Sequence, residues 1–256
     1  MKNIYFLSDA HLGSRAIEHN RTHERRLVNF LDSIKHKAEA VYLLGDMFDF
    51  WYEFKLVVPK GYTRFLGKIS ELTDLGVEVH YFVGNHDMWC GDYLEKECGV
   101  ILHREPQTCE IGGKVFYMAH GDGLDYADRH WKVRLIQTIF RSKTLQRLFS
   151  TLHPRWSVDF GLEWAKHSRL KRVEGKEPPY QGEDKEGLVL YAKDYLKGHP
   201  EINFFIFGHR HIELDLMLAR ESRIIILGDW INCFSYAVYD GEHIFLEQFI
   251  EGVTEP

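Results

Sequence analysis

Apolar runs and helix-periodic stretches alternate through the first hundred residues. Ile4, Phe6 and Leu7 belong to a strand over residues 3–8 that runs straight into Asp9. Leu27, Phe30, Leu31 and Ile34 then fall at three- and four-residue spacing, which predicts a helix over 21–36. Residues 41–44 (Val-Tyr-Leu-Leu) form a second buried strand before Gly45. Phe65, Ile69, Leu72 and Leu75 mark the next helix, with Gly76 as its C-terminal cap, and residues 77–83 enter Gly84 as a third strand. A strand-helix-strand-helix-strand order implies right-handed crossovers and a largely parallel sheet.

After residue 100 the period shortens. Strand-like runs at 107–111 and 114–119 flank Gly112-Gly113, a hairpin signal. Further runs occupy 203–207, 213–218, 223–227, 235–239 and 243–249, and Asp240-Gly241 separates the last two. The pattern fits an α/β fold with two layers of mixed sheet flanked by helices. The long interval between His120 and Gly208 is mostly not sheet. Leu135, Ile139, Leu145, Leu148, Phe149 and Leu152 lie near helical spacing, with Arg134, Arg141, Lys143 and Arg147 between them. This predicts an amphipathic helical insertion with a basic face. Residues 174–186, which contain Pro178-Pro179, have the composition of a linker, and a helix around Tyr191 and Leu196 leads back to the sheet.

Five polar clusters each follow or end one of the apolar runs: Asp9-Ala10-His11, Gly45-Asp46-Met47-Phe48-Asp49, Gly84-Asn85-His86-Asp87, His120-Gly121-Asp122 and Gly208-His209-Arg210-His211. The C-terminal ends of strands are where open α/β sheets gather ligand-binding residues. Asp9 and His11 lie two apart on an extended segment and point the same way. Asp46 follows a glycine that permits a sharp turn, and its two oxygens can bridge two cations. Asn85 offers a neutral oxygen, and His120, His209 and His211 offer nitrogens. Any one of these residues alone could be ordinary surface chemistry. Together, in this order, they point to a hydrolase with two divalent metals, for which mixed oxygen and nitrogen donors suit manganese without excluding iron or zinc.

Composition narrows the setting. The 256 residues, 45% of them apolar, can build one large domain or one domain with an insertion. There is no signal-peptide pattern and no apolar run near the roughly 20 residues of a spanning helix. Cys90, Cys98, Cys109 and Cys233 form no CxxC pair, as expected for reduced thiols in the cytoplasm. The net charge is −6, yet residues 129–176 hold twelve Lys/Arg against three acids, leaving −15 for the remainder. A basic island on an acidic protein calls for an anionic partner.

The combined motif Asp9-x-His11, Gly45-Asp46-x-x-Asp49, Gly84-Asn85-His86-Asp87, His120 and Gly208-His209-x-His211 resembles the calcineurin-like metallophosphoesterases over nearly the whole chain. The resemblance implies a four-layer α/β/β/α sandwich. It also implies that Asp9, His11, Asp46 and His211 hold one metal, and that Asp46, Asn85, His120 and His209 hold the other. Phe50-Trp51, the segment from His120-Gly121-Asp122-Gly123-Leu124 to Asp128, the basic insertion and Leu227-Gly228-Asp229-Trp230 are similar to the UDP-2,3-diacylglucosamine pyrophosphatases of lipid A synthesis. Those enzymes release UMP and an acylated sugar phosphate. In that family a helical lid over the acyl chains would occupy residues 125–200 of this single domain. One departure stands out: the best-known branch has Arg where this chain has His86.

On this reading His86 stabilises the phosphoryl oxygens or donates a proton, held in its tautomer by Asp49 or Asp87. Asp128, Arg155, Arg169, Lys171 and Arg172 are the expected substrate contacts. Basic residues beside apolar ones would also let the protein rest on the cytoplasmic face of the inner membrane. The alternatives are a phosphomonoesterase or phosphodiesterase on the same metals, or a metal-free scaffold that binds protein. Nucleic acid is not an expected partner, because the basic residues lack an interleaved aromatic series.

Overall fold

The structure is a computed structural model and describes residues 2–125, 135, 138–171 and 179–251. Side chains within 167–171 are not described. Six strands form one sheet in the order β11-β10-β1-β2-β3-β4, where β1 is Asn3–Leu7, β2 Ala38–Leu44, β3 Glu78–Phe82, β4 Ile101–His103, β10 Ser235–Tyr239 and β11 Ile244–Gln248. The first four run parallel, and β10 and β11 join antiparallel at one edge. The second sheet has the order β5-β6-β7-β9-β8, with β5 Gln107–Ile111, β6 Lys114–Ala119, β7 Phe204–Phe207, β8 Glu213–Ala219 and β9 Ser222–Leu227. Its three central strands are parallel, and both edge strands are antiparallel.

Strand alternation builds the layers. In β1, Ile4 and Phe6 point between the sheets and meet Tyr42, Leu44, Phe116, Met118, Ile206 and Ile225. Tyr5 and Leu7 point the other way, into a core with residues of α1 (Asn20–Ile34), α2 (Thr63–Asp74) and α3 (Tyr93–Cys98). The outer face of the second sheet, with Tyr117, Phe205, Phe207 and Ile224, packs on Leu188, Val189 and Ala192 of a helix at Gly187–Leu196. Strands buried on both faces explain why their sequences are apolar throughout rather than alternating. The result is the expected four-layer α/β/β/α sandwich.

Glycines anticipated at element ends and turns stand there. Gly76, at φ +80°, follows the end of α2, and Gly112-Gly113, at φ +57° and +76°, joins β5 to β6. The short α3 and β4 escaped the sequence reading, since neither is long enough to show a period.

Before the last helix, the insertion departs from a single amphipathic rod. It contains α4 (Lys143–Phe149), capped by Ser142 Oγ accepting from Leu145 N, and α5 (Pro154–Lys171). Pro154, at the first position of α5, suits a helix start and breaks the rod. The Gly187–Leu196 helix is therefore α6. Part of the linker expected at 174–186 lies outside the described residues.

Candidate metal centre

Six parallel strands, three from each sheet, end at one edge of the sandwich, and each delivers a polar side chain there. Asp9 follows β1, Asp46 follows β2, Asn85 follows β3, His120 follows β6, His209 follows β7 and Asp229 follows β9. Five of the predicted ligands have left-handed backbone: Asp9 at φ 56°, His11 at 45°, Asp46 at 53°, His209 at 70° and His211 at 52°. Such φ values are uncommon for residues with a Cβ and gather at functional sites, where the surrounding fold holds the strain. Here the loops are pinned to one another. Asp9 N donates to Gly45 O, His11 N to Asp46 O, Gly208 N to His120 O and Trp230 N to Asp9 O, all within 3.1 Å. The motif glycines leave room for this crowding. A Cβ on Gly84 would run into Asp46 Oδ1, and one on Gly208 into Ser8 Oγ and Asp9 Oδ2.

The side chains converge. His11 Nε2 is 3.5 Å from Asp9 Oδ1, 3.8 Å from Asp46 Oδ2 and 3.3 Å from His211 Nε2. His120 Nε2 is 3.3 Å from both Asp46 Oδ2 and Asn85 Oδ1. Asp46 Oδ2 thus stands between the two histidines. Asp9 Oδ1 and Asp46 Oδ2 are buried without a hydrogen-bond partner among the described residues. Burying a carboxylate oxygen in this way is costly unless a cation meets it. Donor atoms each about 2.1 Å from a common cation lie roughly 3–3.5 Å apart, close to the spacings here. The donor set therefore fits divalent cations.

Outer partners fix which imidazole nitrogen faces inward. His120 Nδ1 faces Leu44 O at 2.8 Å and His211 Nδ1 faces Asp229 Oδ2 at 3.2 Å, while His11 Nδ1 lies 3.6 Å from Asp49 Oδ1, beyond hydrogen-bond length. An oxygen opposite Nδ1 favours the N–H there and leaves the Nε2 lone pair for the centre. Burial alone would raise the Asp46 carboxyl, but the His120 and His86 imidazoles hold it well below the usual carboxylate range. Burial opposes charge on His120, yet Asp46 and Asp9 push its pKa well above the ordinary value. A cation at the centre would take the place of that proton.

His209 lies beside His120, with ring centroids 5.1 Å apart, and its backbone N–H donates to Asp9 Oδ2. His86 stands edge-on to His11, and its Nδ1 faces the Asp49 backbone carbonyl at 2.9 Å. That carbonyl, rather than Asp87, sets the tautomer. Asp87 is fully buried and accepts from Gly84 N, Met47 N and Tyr81 OH, and burial together with nearby Asp46 raises it to about 7. Its place is beneath the loops, bracing them. His86 also comes within reach of His11 and Asp46 as a possible further donor.

Sequence reasoning missed three supports. Ser8 Oγ donates to Asp9 Oδ2 at 2.6 Å. Asp229 Oδ1 accepts the N–H groups of Ile231, Asn232 and Cys233. These bonds and His211 hold its pKa at about 2 although burial opposes this. Its Gly-Asp pair after β9 repeats the Gly45-Asp46 signal after β2 and could have been found that way. Arg210, between two predicted ligands, is clamped by both oxygens of Glu186, a residue that shows no motif.

Two cavities open on the centre. One, of about 90 Å³, is mostly apolar and brings Asp49, Asn85 and His86 to Phe50, Trp89, Phe160 and Trp164. The other, of about 580 Å³, borders Gly84 and His120 on the opposite flank. Gly161 of α5 packs directly on the Phe50 ring, and any Cβ there would collide with it. Of the expected substrate contacts, Arg155 is exposed at the start of α5 and lines neither cavity. Asp128 and Arg172 lie outside the described residues, as do the side chains of Arg169 and Lys171.

A UDP-2,3-diacylglucosamine hydrolase of Porphyromonas gingivalis is 45% identical over 253 residues, covering 95% of this chain and 96% of its own. The chain belongs to the UDP-2,3-diacylglucosamine hydrolase family. Relatives of the same name in Neisseria meningitidis and Haemophilus influenzae are 31% and 29% identical. They span 92% of both chains in the first case, and 90% of this chain and 91% of their own in the second. A phosphoesterase from E. coli superposes with a TM-score of 0.42 at 12% identity, covering 94% of this chain and 90% of its own. No family model matches. Among the described residues of this hydrolase-family chain, no helix is long and apolar enough to cross a membrane.

Proposed function

We propose that this protein hydrolyses the pyrophosphate bond of UDP-2,3-diacylglucosamine to UMP and 2,3-diacylglucosamine 1-phosphate. The observation that carries the reading is one juxtaposition: a donor set for two cations opens directly onto an apolar cavity roofed by α5. Phosphate chemistry and acyl-chain binding therefore share a wall, as an acylated nucleotide sugar requires. Membership of the named family supports the same substrate.

Asp9, His11, Asp46 and His211 are assigned to one cation, and Asp46, Asn85, His120 and His209 to the other, with manganese the metal that mixed oxygen and nitrogen donors favour. When bound, the cations supply Lewis acidity to the phosphoryl oxygens and activate water for attack. The chain does the rest by position. Asp229 and Leu44 O orient the His211 and His120 imidazoles. His86 presents Nε2, since Nδ1 faces the Asp49 carbonyl, and so stabilises a phosphoryl oxygen or delivers a proton. The water oxygen forms a new bond to one phosphorus, the P–O–P bridge breaks, and the departing phosphate carries the bonding electrons. A phosphate leaves as a weak base and makes little demand on a general acid.

The helical insertion at 125–200 acts as the lid. Trp156, Phe160 and Trp164, four apart on α5, are half or more exposed, and Leu148 of α4 is too. Monomeric surfaces rarely present so many large apolar groups together without use. The stripe lies beside the apolar cavity and extends it, so acyl chains longer than the 90 Å³ pocket have a surface to follow. Basic neighbours on the same segment suit an anionic membrane and a cytoplasmic, peripheral station; flotation with anionic liposomes at low salt tests this, and absence of binding removes it.

Side-by-side rates decide the main proposal. Manganese-loaded protein is expected to prefer UDP-2,3-diacylglucosamine over bis-p-nitrophenyl phosphate by orders of magnitude in kcat/KM. Equal rates would favour the second reading, a phosphodiesterase or phosphomonoesterase on another ester, which a proton-donating His86 would suit.

A further inference from the structure

We propose that the polar cleft on the His120 flank binds the nucleoside monophosphate half of the substrate, with Arg104 and Lys143 as counter-charges for its phosphate. This rests on the anhydride-hydrolase reading above and extends it to residues that lie outside the metal motif. The two halves of a P–O–P substrate are joined only through the bridging oxygen, so they can extend from the reacting phosphorus into separate clefts. The two cavities leave the centre in just that manner. One departs past Asn85 and His86 and is mostly apolar; the other departs past Gly84 and His120 and is the more polar of the two, with polar and apolar lining in nearly equal measure. Trp89 and Met88 line both and form the partition between them. Trp89 is fixed there by its Nε1 donating to Phe140 O at 2.7 Å. If acyl chains take the apolar side, the polar half is left with the other.

The cleft is equipped for that occupant. Its volume of about 580 Å³ falls within the roughly 300–1,000 Å³ typical of small-molecule sites. Arg104, Arg141 and Lys143 line it. Two of its three acids are already committed. Glu53 accepts from Trp51 Nε1 and Tyr93 N, and Asp122 pairs with Arg141 at 3.0 Å. Glu105 is the third. Lys143 has no ion-pair partner among the described residues, and Arg104 spends one nitrogen on Gly91 O. Guanidinium and ammonium groups beside such a cleft provide charge-assisted hydrogen bonds to a phosphate. The rings of Trp89 and His103 on its walls offer faces for a base. Burial and neighbouring His80 push His103 down to about 4, so that ring is uncharged near neutrality.

Equilibrium titration with UMP tests the site apart from turnover. Wild-type protein is expected to bind UMP, and Arg104→Ala and Lys143→Glu each to weaken it at least about tenfold. Binding of 2,3-diacylglucosamine 1-phosphate in mixed micelles is expected to change less than about twofold in the same variants. Phe160→Ser should show the reverse selectivity. Lys143 is an exposed residue at the start of α4, so its variant tests the idea even if Arg104→Ala misfolds. UMP affinity unchanged in the Lys143 variant, or no UMP binding by wild type, overturns the proposal. Should the wild type bind UMP through these residues yet leave UDP-2,3-diacylglucosamine intact, the cleft assignment stands and the hydrolase reading fails.

Discussion

The sandwich and the helical insertion treat apolar residues in opposite ways. In the sandwich, Phe6, Leu7, Leu43 and Leu44 are completely buried, and the strands that carry them end at the metal centre. In the insertion, Leu148, Trp156, Phe160 and Trp164 remain 50–69% exposed, and α4 buries nothing fully. Helical periodicity is present in both regions. It declares that a helix has an apolar face, but not what covers that face. In α1 the cover is the sheet; over α4 and α5 little cover is supplied among the described residues. On the proposed reading that surface is kept for an apolar ligand, whereas the centre below it is buried and held by hydrogen bonds between its loops.

Four experiments would break or sharpen this contrast. The largest effect belongs to the centre: Asp46→Ala should lower kcat/KM by more than about a hundredfold, beyond the 10–100-fold typical of outer partners. Circular dichroism must show the fold intact, and a variant retaining a tenth of wild-type rate would refute the bridging assignment. Next come the supports. Asp229→Asn and Glu186→Gln are each expected to cost roughly ten- to a hundredfold in rate or metal affinity, because His211 and the His209–His211 loop lose their anchors. Metal titration followed by calorimetry separates these two losses.

A smaller and more selective change is expected in the insertion. Trp164→Ser should raise KM for the diacylated substrate by about tenfold, since burying a large apolar side chain is worth about 1.5–3 kcal/mol and half of this one is already covered. Its rate on bis-p-nitrophenyl phosphate should hardly move. Equal losses on both substrates would mean that the insertion supports the fold rather than the ligand.

The smallest effect concerns pH and neither region's chemistry. His103 has a folded pKa near 4, against an ordinary 6.5, because of burial and the charge of His80. A proton therefore favours the unfolded chain. The contribution of His103 to stability is intact above pH 6.5 and declines as pH falls toward 4. The melting temperature should drop between pH 7.5 and 5, and His103→Phe should make that drop smaller. An unchanged drop would show that other groups dominate.

Much of the centre was legible because its chemistry is repeated. Asp9, Asp46, Asn85, His120 and His209 each follow a strand of strong apolar character, and the parallel order sends all those ends to one edge. Asp229 obeys the same rule, and its Gly-Asp pair after β9 carries the signal, but the sequence does not show that its carboxylate supports His211 rather than a metal. Asp87 was misplaced for a related reason: adjacency to His86 in the chain suggested contact in space, whereas the turn sends its carboxylate down to Tyr81 and Met47. Glu186 gave no signal at all, since its partner Arg210 is 24 residues away.

The sequence by itself determined the layers and the donor types, because strand and helix periods and side-chain chemistry are local properties. It also determined the apolar and basic pattern that α4 carries. Only the tertiary structure decided that Asp46 Oδ2 lies between His11 and His120, that Trp89 divides a mostly apolar cavity from a more polar one, and that the apolar stripe of α5 stays half exposed or more among the described residues. Those outcomes depend on which distant segments meet, and packing geometry sets that where no single stretch of chain can record it.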